Sequence, residues 1–299
     1  LVATSGDTGG AVANGFLGVE GIDVVILYPK GKVSKVQEQQ LTTLGQNITA
    51  LEVDGVFDDC QDMVKTAFLD KEITATRQLT SANSINVARW LPQMLYYFIA
   101  YRQLAERKQP LVFSVPSGNF GNICAGMMGQ NMGLPIDHFI AATNINDAVP
   151  TYLETGDYAA VKTTPTISNA MDVGDPSNFV RIQKIYGNSF TQLKDHLTGY
   201  RFTDDATRVA MKEIYKTSSY IAEPHGAVGY LGLKDYLEKH PEKYGVFLET
   251  AHPVKFLDTV EETLERKVPL PERIQSLLSK EKKSIGIKNY ADLKSYLLS

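Results

Sequence analysis

Short apolar runs alternating with helical stretches predict an α/β protein with parallel or mixed sheets flanked by helices. Three observations carry that expectation. Residues 24–27, 111–115 and 245–248 are almost continuously apolar, as strands covered on both faces are. Helix-length stretches separate them, which is what a parallel connection needs. Small polar residues (Gly, Ser, Thr and Asn) then concentrate where strands end, which is where such sheets bind ligands.

Each element follows from its local pattern. Residues 1–3, Leu-Val-Ala, read as the tail of a strand. Residues 24–27, Val-Val-Ile-Leu, are a buried strand, and Pro29-Lys30-Gly31 leads into a polar helix over 34–44. Strand 48–53 and helix 57–70 come next, then a polar loop over 79–86 and a long amphipathic helix over 87–107. A strand over 111–115 precedes a small-residue helix over 121–132, and 138–142 is a further strand. Residues 159–177 are rich in Thr, Pro, Ser and Asn and read as a long ordered loop. Helices follow over 179–186, 204–217 and 227–240, and 245–248 is the last clear strand. The C-terminal segment, with Lys280-Glu281-Lys282-Lys283, reads as exposed helix and loop with a solvated charged face. Cys60, Cys124 and the Met127, Met128, Met132 group fit buried helical positions. No internal repeat interrupts the pattern.

Composition narrows the function classes. The 299 residues are 43% hydrophobic and 21% charged, enough for a large core or two smaller ones without staples. Lys and Arg number 30 against 34 Asp and Glu, a net charge of −4, which argues against a chain-wide nucleic-acid footprint. Two cysteines cannot build a disulfide framework, so a reducing cytoplasmic setting is expected. No apolar run approaches the roughly 20 residues of a membrane helix. His138, His196 and His240 are scattered without ligand spacing, so no metal is expected.

Three strand-to-helix junctions are chemically loaded. In Thr4-Ser5-Gly6-Asp7-Thr8-Gly9-Gly10, hydroxyls, a carboxylate and free helix amides surround a turn that suits a carboxylate or phosphate. The same residues also suit a plain turn in which Ser5 or Asp7 caps the helix. In Pro116-Ser117-Gly118-Asn119-Phe120-Gly121-Asn122, successive amides at a helix start can converge on a phosphate. It lacks the Lys-Ser/Thr tail of a nucleotide P-loop and the dinucleotide spacing. In Glu249-Thr250-Ala251-His252-Pro253, a strand-end hydroxyl can serve a neutral ring nitrogen, and His252 suits either an acid/base or a structural role. The 80–86 loop, with Ser81, Asn83 and Ser84, offers small donors to a polar substrate or a cap to the next helix. Glu223-Pro224-His225-Gly226 suits a placement of His225 near a site, but such a segment is more often a turn.

At these loops the sequence resembles a known family. Thr4-Ser5-Gly6-Asp7-Thr8-Gly9, Tyr28-Pro29-Lys30-Gly31-Lys32-Val33-Ser34, Asn83-Ser84-Ile85-Asn86-Val87-Ala88-Arg89, Ser117 to Asn122, and Thr250-Ala251-His252-Pro253 with Lys255-Phe256 occur in order over nearly the whole chain. Together they resemble the threonine synthases of the bacterial and fungal type. The resemblance implies a two-domain, fold-type II, pyridoxal-phosphate enzyme of the tryptophan synthase beta-like kind. Its activity would convert O-phospho-L-homoserine and water to L-threonine and phosphate. By similarity, Gly118, Asn119, Phe120, Gly121 and Asn122 cradle the cofactor phosphate and Thr250 faces the pyridine nitrogen. Ser5, Gly6, Asp7 and Thr8, with Ser81, Asn83 and Ser84, take the substrate.

The family's Schiff-base lysine sits in a Phe-Lys-Asp segment upstream of the Ser-Gly-Asp-Thr loop, and no Phe-Lys-Asp occurs here. Lys30, Lys32, Lys35 and Lys255 belong to other motifs. The resemblance thus implies no catalytic lysine in this chain, an N-terminally shortened and inactive fragment, and a monomer or homodimer. The implied domains are 1–82, a remnant of the smaller mobile domain, and 83–299, the larger cofactor-binding domain with its C-terminal helices; the cofactor lies between them. Two rivals remain: another fold-type II enzyme such as a dehydratase or cysteine synthase, and a non-catalytic relative that binds a phosphorylated ligand.

Overall fold

The computed structural model describes residues 1–83 and 86–299. Its strands are β1 (Val2–Ala3), β2 (Val24–Pro29), β3 (Ile48–Val53), β4 (Leu111–Pro116), β5 (His138–Thr143), β6 (Leu197–Arg201), β7 (Tyr244–Phe247) and β8 (Ile285–Ile287). They form two sheets, ordered β1-β2-β3-β8 and β6-β5-β4-β7. Every described pairing is parallel. Every residue of β2, β4 and β5 is buried, the signature of sheets covered on both faces.

The chain divides into two compact units. One comprises Leu1–Asn83, Val254–Phe256 and Val268–Ser299; the other comprises Ser84–Pro253 and Leu257–Lys267. This differs from a single cut at 82/83, because the C-terminal segment folds with the first unit. There β8 extends the sheet by pairing Leu51 with Ile285 and Val53 with Ile287. The helix Tyr290–Leu298 buries Leu293 and Leu297 in a core shared with Leu27, Leu51, Ala67 and Ile73. Lys282 is held rather than solvated: its Nζ donates to Glu38 at 2.7 Å and to Glu52 at 2.8 Å. Lys282 alone of the charge run is held in this way; Lys280, Glu281 and Lys283 lie in exposed loop, as expected from their composition.

Within the first unit, the helix Lys35–Thr42 starts at a capping box, with Ser34 accepting from the Gln37 amide and Gln37 returning to the Ser34 amide. The helix Phe57–Leu69 ends at Asp70, whose side chain caps the next helix, Lys71–Thr76. The second unit buries Tyr97, Phe113 and Phe139 completely, with edge-on ring contacts from Tyr97 to both phenylalanines. Burying such rings is worth about 1.5–3 kcal/mol each before entropy is charged against it. Cys60 and Cys124 are fully buried thiols. Met127 is in the core, but Met132 ends its helix 66% exposed, correcting its assignment to the interior.

The helical stretch expected over 87–107 is a 3-10 turn, Val87–Arg89, followed by the helix Trp90–Leu104. Strand β6 and the helices Ala148–Thr155 and Phe190–His196 had no clear sequence signal. Strand β6, Leu-Thr-Gly-Tyr-Arg, lies at a sheet edge and carries no apolar run. The helix Ala148–Thr155 contains Pro150, a breaker in most contexts but tolerated in a first turn, where no intrahelical N–H is needed.

The Thr/Pro/Ser-rich loop over 159–177 is indeed ordered, and its order comes from buried polar pairing. Asn144, just past β5, donates to Thr166 Oγ1 at 2.8 Å and to Asp172 at 2.9 Å. Asn146 accepts from the Thr164 amide at 2.7 Å, and Asp172 accepts from the Thr166 amide at 2.9 Å.

Candidate active site

Sheet topology locates the site in the second unit. From β4 the chain moves outward to β5 and then β6, and returns to pair β7 on the opposite side of β4. The connections therefore part at the carboxyl ends of β4 and β7, the switch point where open parallel sheets bind ligands. The segments leaving those ends are Ser117 to Asn122 and Leu248 to Pro253. They are tied at their base, where the Leu248 amide donates to Ser114 O at 3.0 Å.

The first segment is a tight turn into the helix Gly121–Asn131. Phe120 takes a left-handed conformation, φ +61°, and its ring is buried against Phe179. That conformation costs a non-glycine residue energy, and the buried ring offsets the cost. Asn122 Nδ2 donates to Pro116 O at 2.8 Å, closing the turn on itself. Gly118 is required by contact: a Cβ there would stand 2.6 Å from Ala170 O and 2.7 Å from Met171 Cα. Asn119 Oδ1 accepts from the Ser177 amide at 2.7 Å and Ser177 Oγ at 2.9 Å, while Asn119 O accepts from Asn178 Nδ2 at 2.8 Å.

Among the described residues, the amides of Gly118, Phe120, Gly121 and Asn122 donate to no protein acceptor. The helix they open carries no acidic residue in its first turn. Unspent amides at a positive helix end fit a phosphate in both geometry and charge.

At the end of β7, Thr250 is exposed, leaving its hydroxyl accessible. Its neighbour Glu249 points the other way in chemistry: both carboxyl oxygens are buried without a hydrogen-bond partner. Burial first, then the negative charge of Glu223, push its pKa up to about 9. Its carboxyl occupies the space a side chain at position 226 would need, since a Cβ on Gly226 would lie 2.1 Å from Glu249 Cδ. Glu223 is fully buried and caps the helix Pro224–Lys239, accepting from the Gly226 amide at 2.9 Å and the His225 amide at 3.0 Å. Residues 223–226 are thus a helix start with proline at its first position, correcting the expectation of a turn.

The remaining candidates lie in the first unit. Thr4 Oγ1 accepts from the amides of Gly6 and Gly9, each at 2.9 Å. The capping role weighed for Ser5 or Asp7 therefore falls to Thr4, and the helix Asp7–Phe16 has no side-chain cap from Gly6. Asp7 Oδ1 accepts from Gln37 Nε2 at 3.0 Å and Lys255 Nζ at 2.8 Å. Sequence placed Lys255 only within the Thr250 motif; its pairing with Asp7 spans 248 positions and leaves no local signal. Ser5 and Thr8 are half-buried, and their hydroxyls make no protein hydrogen bond among the described residues.

Asn83 pairs with β1, accepting from Ala3 N at 3.0 Å and donating back to Ala3 O, while Ser81 Oγ accepts from the Asn83 amide at 3.2 Å. Ser84 lies outside the described residues. No group of His, Cys, Asp and Glu suited to a metal ion occurs among the described residues, and no helix there is long and apolar enough to cross a membrane.

Comparison with known proteins bears on this geometry. A family model described as pyridoxal-phosphate dependent enzyme matches residues 1–249, and one described as threonine synthase, C-terminal, matches 226–296. The chain is 45% identical over 300 residues to the threonine synthase of Buchnera aphidicola (Acyrthosiphon pisum strain), covering all of this chain and 69% of that protein. The crystal structure of threonine synthase from Escherichia coli superposes with a TM-score of 0.95 at 44% identity, over 99% of this chain and 69% of that one. A PLP-bound threonine synthase from Brucella melitensis superposes with a TM-score of 0.87 at 34% identity, over 99% and 69%. The chain spans about two thirds of the length of the curated relatives it matches. With the anion-fitting turn at its switch point and both family models in register, the chain belongs to the threonine synthase family of pyridoxal-phosphate-dependent enzymes.

Proposed function

We propose that this chain supplies the cofactor- and substrate-binding residues of an enzyme that converts O-phospho-L-homoserine and water to L-threonine and phosphate; it holds no Phe-Lys-Asp segment, so no catalytic lysine is assigned in it. The observation that carries the reading is the turn at residues 117–122, with its unspent amides at the β4/β7 switch point. Bound pyridoxal phosphate supplies an electron sink that stabilises negative charge on substrate carbons.

The chain's own residues do the rest. The amides of Gly118, Phe120, Gly121 and Asn122 hold the phosphate, and Asn119 anchors the turn that presents them. The Thr250 hydroxyl hydrogen-bonds the ring nitrogen as a neutral partner, whereas a carboxylate there would keep that nitrogen protonated. Ser5 and Thr8 offer hydroxyls to the substrate, with Gly6 allowing close backbone approach. Asp7 can sit beside an anionic substrate because Lys255 offsets its charge. Ser81, Asn83 and Ser84 complete the polar loop assigned to the substrate.

Two buried free thiols fit a reducing cytoplasm, and a net charge of −4 gives no reason for a nucleic-acid partner. A monomer or homodimer fits the reading. The test offers the full-length protein O-phospho-L-homoserine, serine and O-acetylserine separately, with pyridoxal phosphate present. Threonine and phosphate released in equal amounts from the first alone is expected. Ammonia from serine, or reaction of O-acetylserine, would move the chain to the dehydratase or cysteine synthase reading; phosphate-ligand binding without turnover would favour the non-catalytic one.

A further inference from the structure

The phosphate-fitting turn does not stand alone. Gly118 is seated on the backbone of Ala170 and Met171, close enough that a Cβ would strike both. These two residues lie in a 3-10 turn, Asn169–Met171, inside the long polar loop. The Ala170 amide donates to Nε2 of His225 at 3.1 Å. His225 is 3% exposed, and its Nδ1 meets Oε2 of Glu223 at 2.5 Å.

The chemistry of these contacts fixes the imidazole. A backbone N–H only donates, so Nε2 must be the unprotonated acceptor. The ring proton is then on Nδ1, where it donates to Glu223. Glu223 is well suited to this, since it already accepts the His225 and Gly226 amides and so stands beside the ring. Met171 is buried with Ala142 and Val228, so the turn it belongs to is clamped from below.

We propose that His225 is a positioning residue for the cofactor phosphate. Held as the Nδ1–H tautomer by Glu223, it fixes the Ala170 amide and so the seat on which Gly118 and the phosphate turn rest. The proposal deepens the cofactor reading and depends on it. His225 touches neither phosphate nor substrate; it acts through Ala170 and Gly118. Losing its acceptor leaves the half-buried Ala170 amide unpaired, which favours rearrangement of the seat.

The test compares the affinity of the protein for pyridoxal phosphate with its affinity for pyridoxal, which lacks the phosphate. The ratio isolates what the turn contributes. His225→Leu removes the acceptor and is expected to lower the ratio at least tenfold. His225→Gln keeps an acceptor at similar reach and is expected to stay within about threefold of the parent protein. A general structural defect lowers both affinities together and leaves the ratio unchanged, and that result overturns the proposal.

If His225→Leu does not fold, nitrogen-15 NMR of the histidine-labelled parent protein decides. A ring protonated at Nδ1 with a bare, accepting Nε2 is expected. A proton on Nε2, or on both nitrogens at neutral pH, overturns the proposal. Failure of the parent protein to bind pyridoxal phosphate would instead sink the cofactor reading itself, so the two failures are distinguishable.

Discussion

Glu249 shows how one residue can be set by a distant one. A carboxyl at a strand end normally faces water, and nothing in Phe-Leu-Glu-Thr suggests otherwise. It is buried because Gly226, on another element, leaves it room. With the folded pKa raised from 4.5 to about 9, the folded state holds a proton that the unfolded state has released. Stability contributed by this group is therefore complete below the unfolded value and is lost as pH rises toward 9. Glu249→Gln should remove this loss, stabilising the protein by on the order of 1–3 kcal/mol at pH 8 and by much less at pH 5. Urea unfolding at the two pH values checks it; an equal effect at both would show that the carboxyl is ionised in the fold. The exposure of Thr250, by contrast, needs no distant partner to explain it, since it directly follows an apolar strand.

At the scale of elements, the turn between β4 and the helix Gly121–Asn131 was readable, but what supports it was not. Small residues after Leu-Val-Phe-Ser-Val announce a tight turn. The supporting loop over 159–177 has the composition of a linker, and only Asn144, Asn146, Thr166 and Asp172 meeting in space explain its order. Gly118→Ala should displace the turn, because the obstructing atoms are backbone and cannot swing away. We expect pyridoxal-phosphate affinity to fall at least tenfold with circular dichroism unchanged; titration of cofactor fluorescence measures it. An affinity like that of the parent protein would mean the turn does not bear the phosphate. Gly226→Ala should destabilise by about 1–3 kcal/mol through overpacking on Glu249. Pairing it with Glu249→Gln should leave that cost in place, since the two side chains are the same size; thermal melts of the single and double variants test this.

For the molecule as a whole, strand order carries the account. Alternating apolar runs gave the α/β class and the parallel sheets, because a buried parallel strand writes itself as a continuous apolar run. They could not assign the C-terminal segment to a unit. Its strand β8 is three residues long and its lysines look solvated, so its place depends on Glu38, Glu52 and Leu51 far away in the chain. Leu293→Ala, at a fully buried position of the last helix, should cost about 2–4 kcal/mol in the first unit. Denaturant unfolding would report it, and a cost below about 0.5 kcal/mol would return the segment to the status of an exposed tail. The central claim is that the β4/β7 switch point holds the cofactor by its phosphate. A crystal structure of the protein with pyridoxal phosphate tests it most directly. The account predicts phosphate density within hydrogen-bond reach of the Gly118, Phe120, Gly121 and Asn122 amides; phosphate bound elsewhere, with that turn empty, would contradict it.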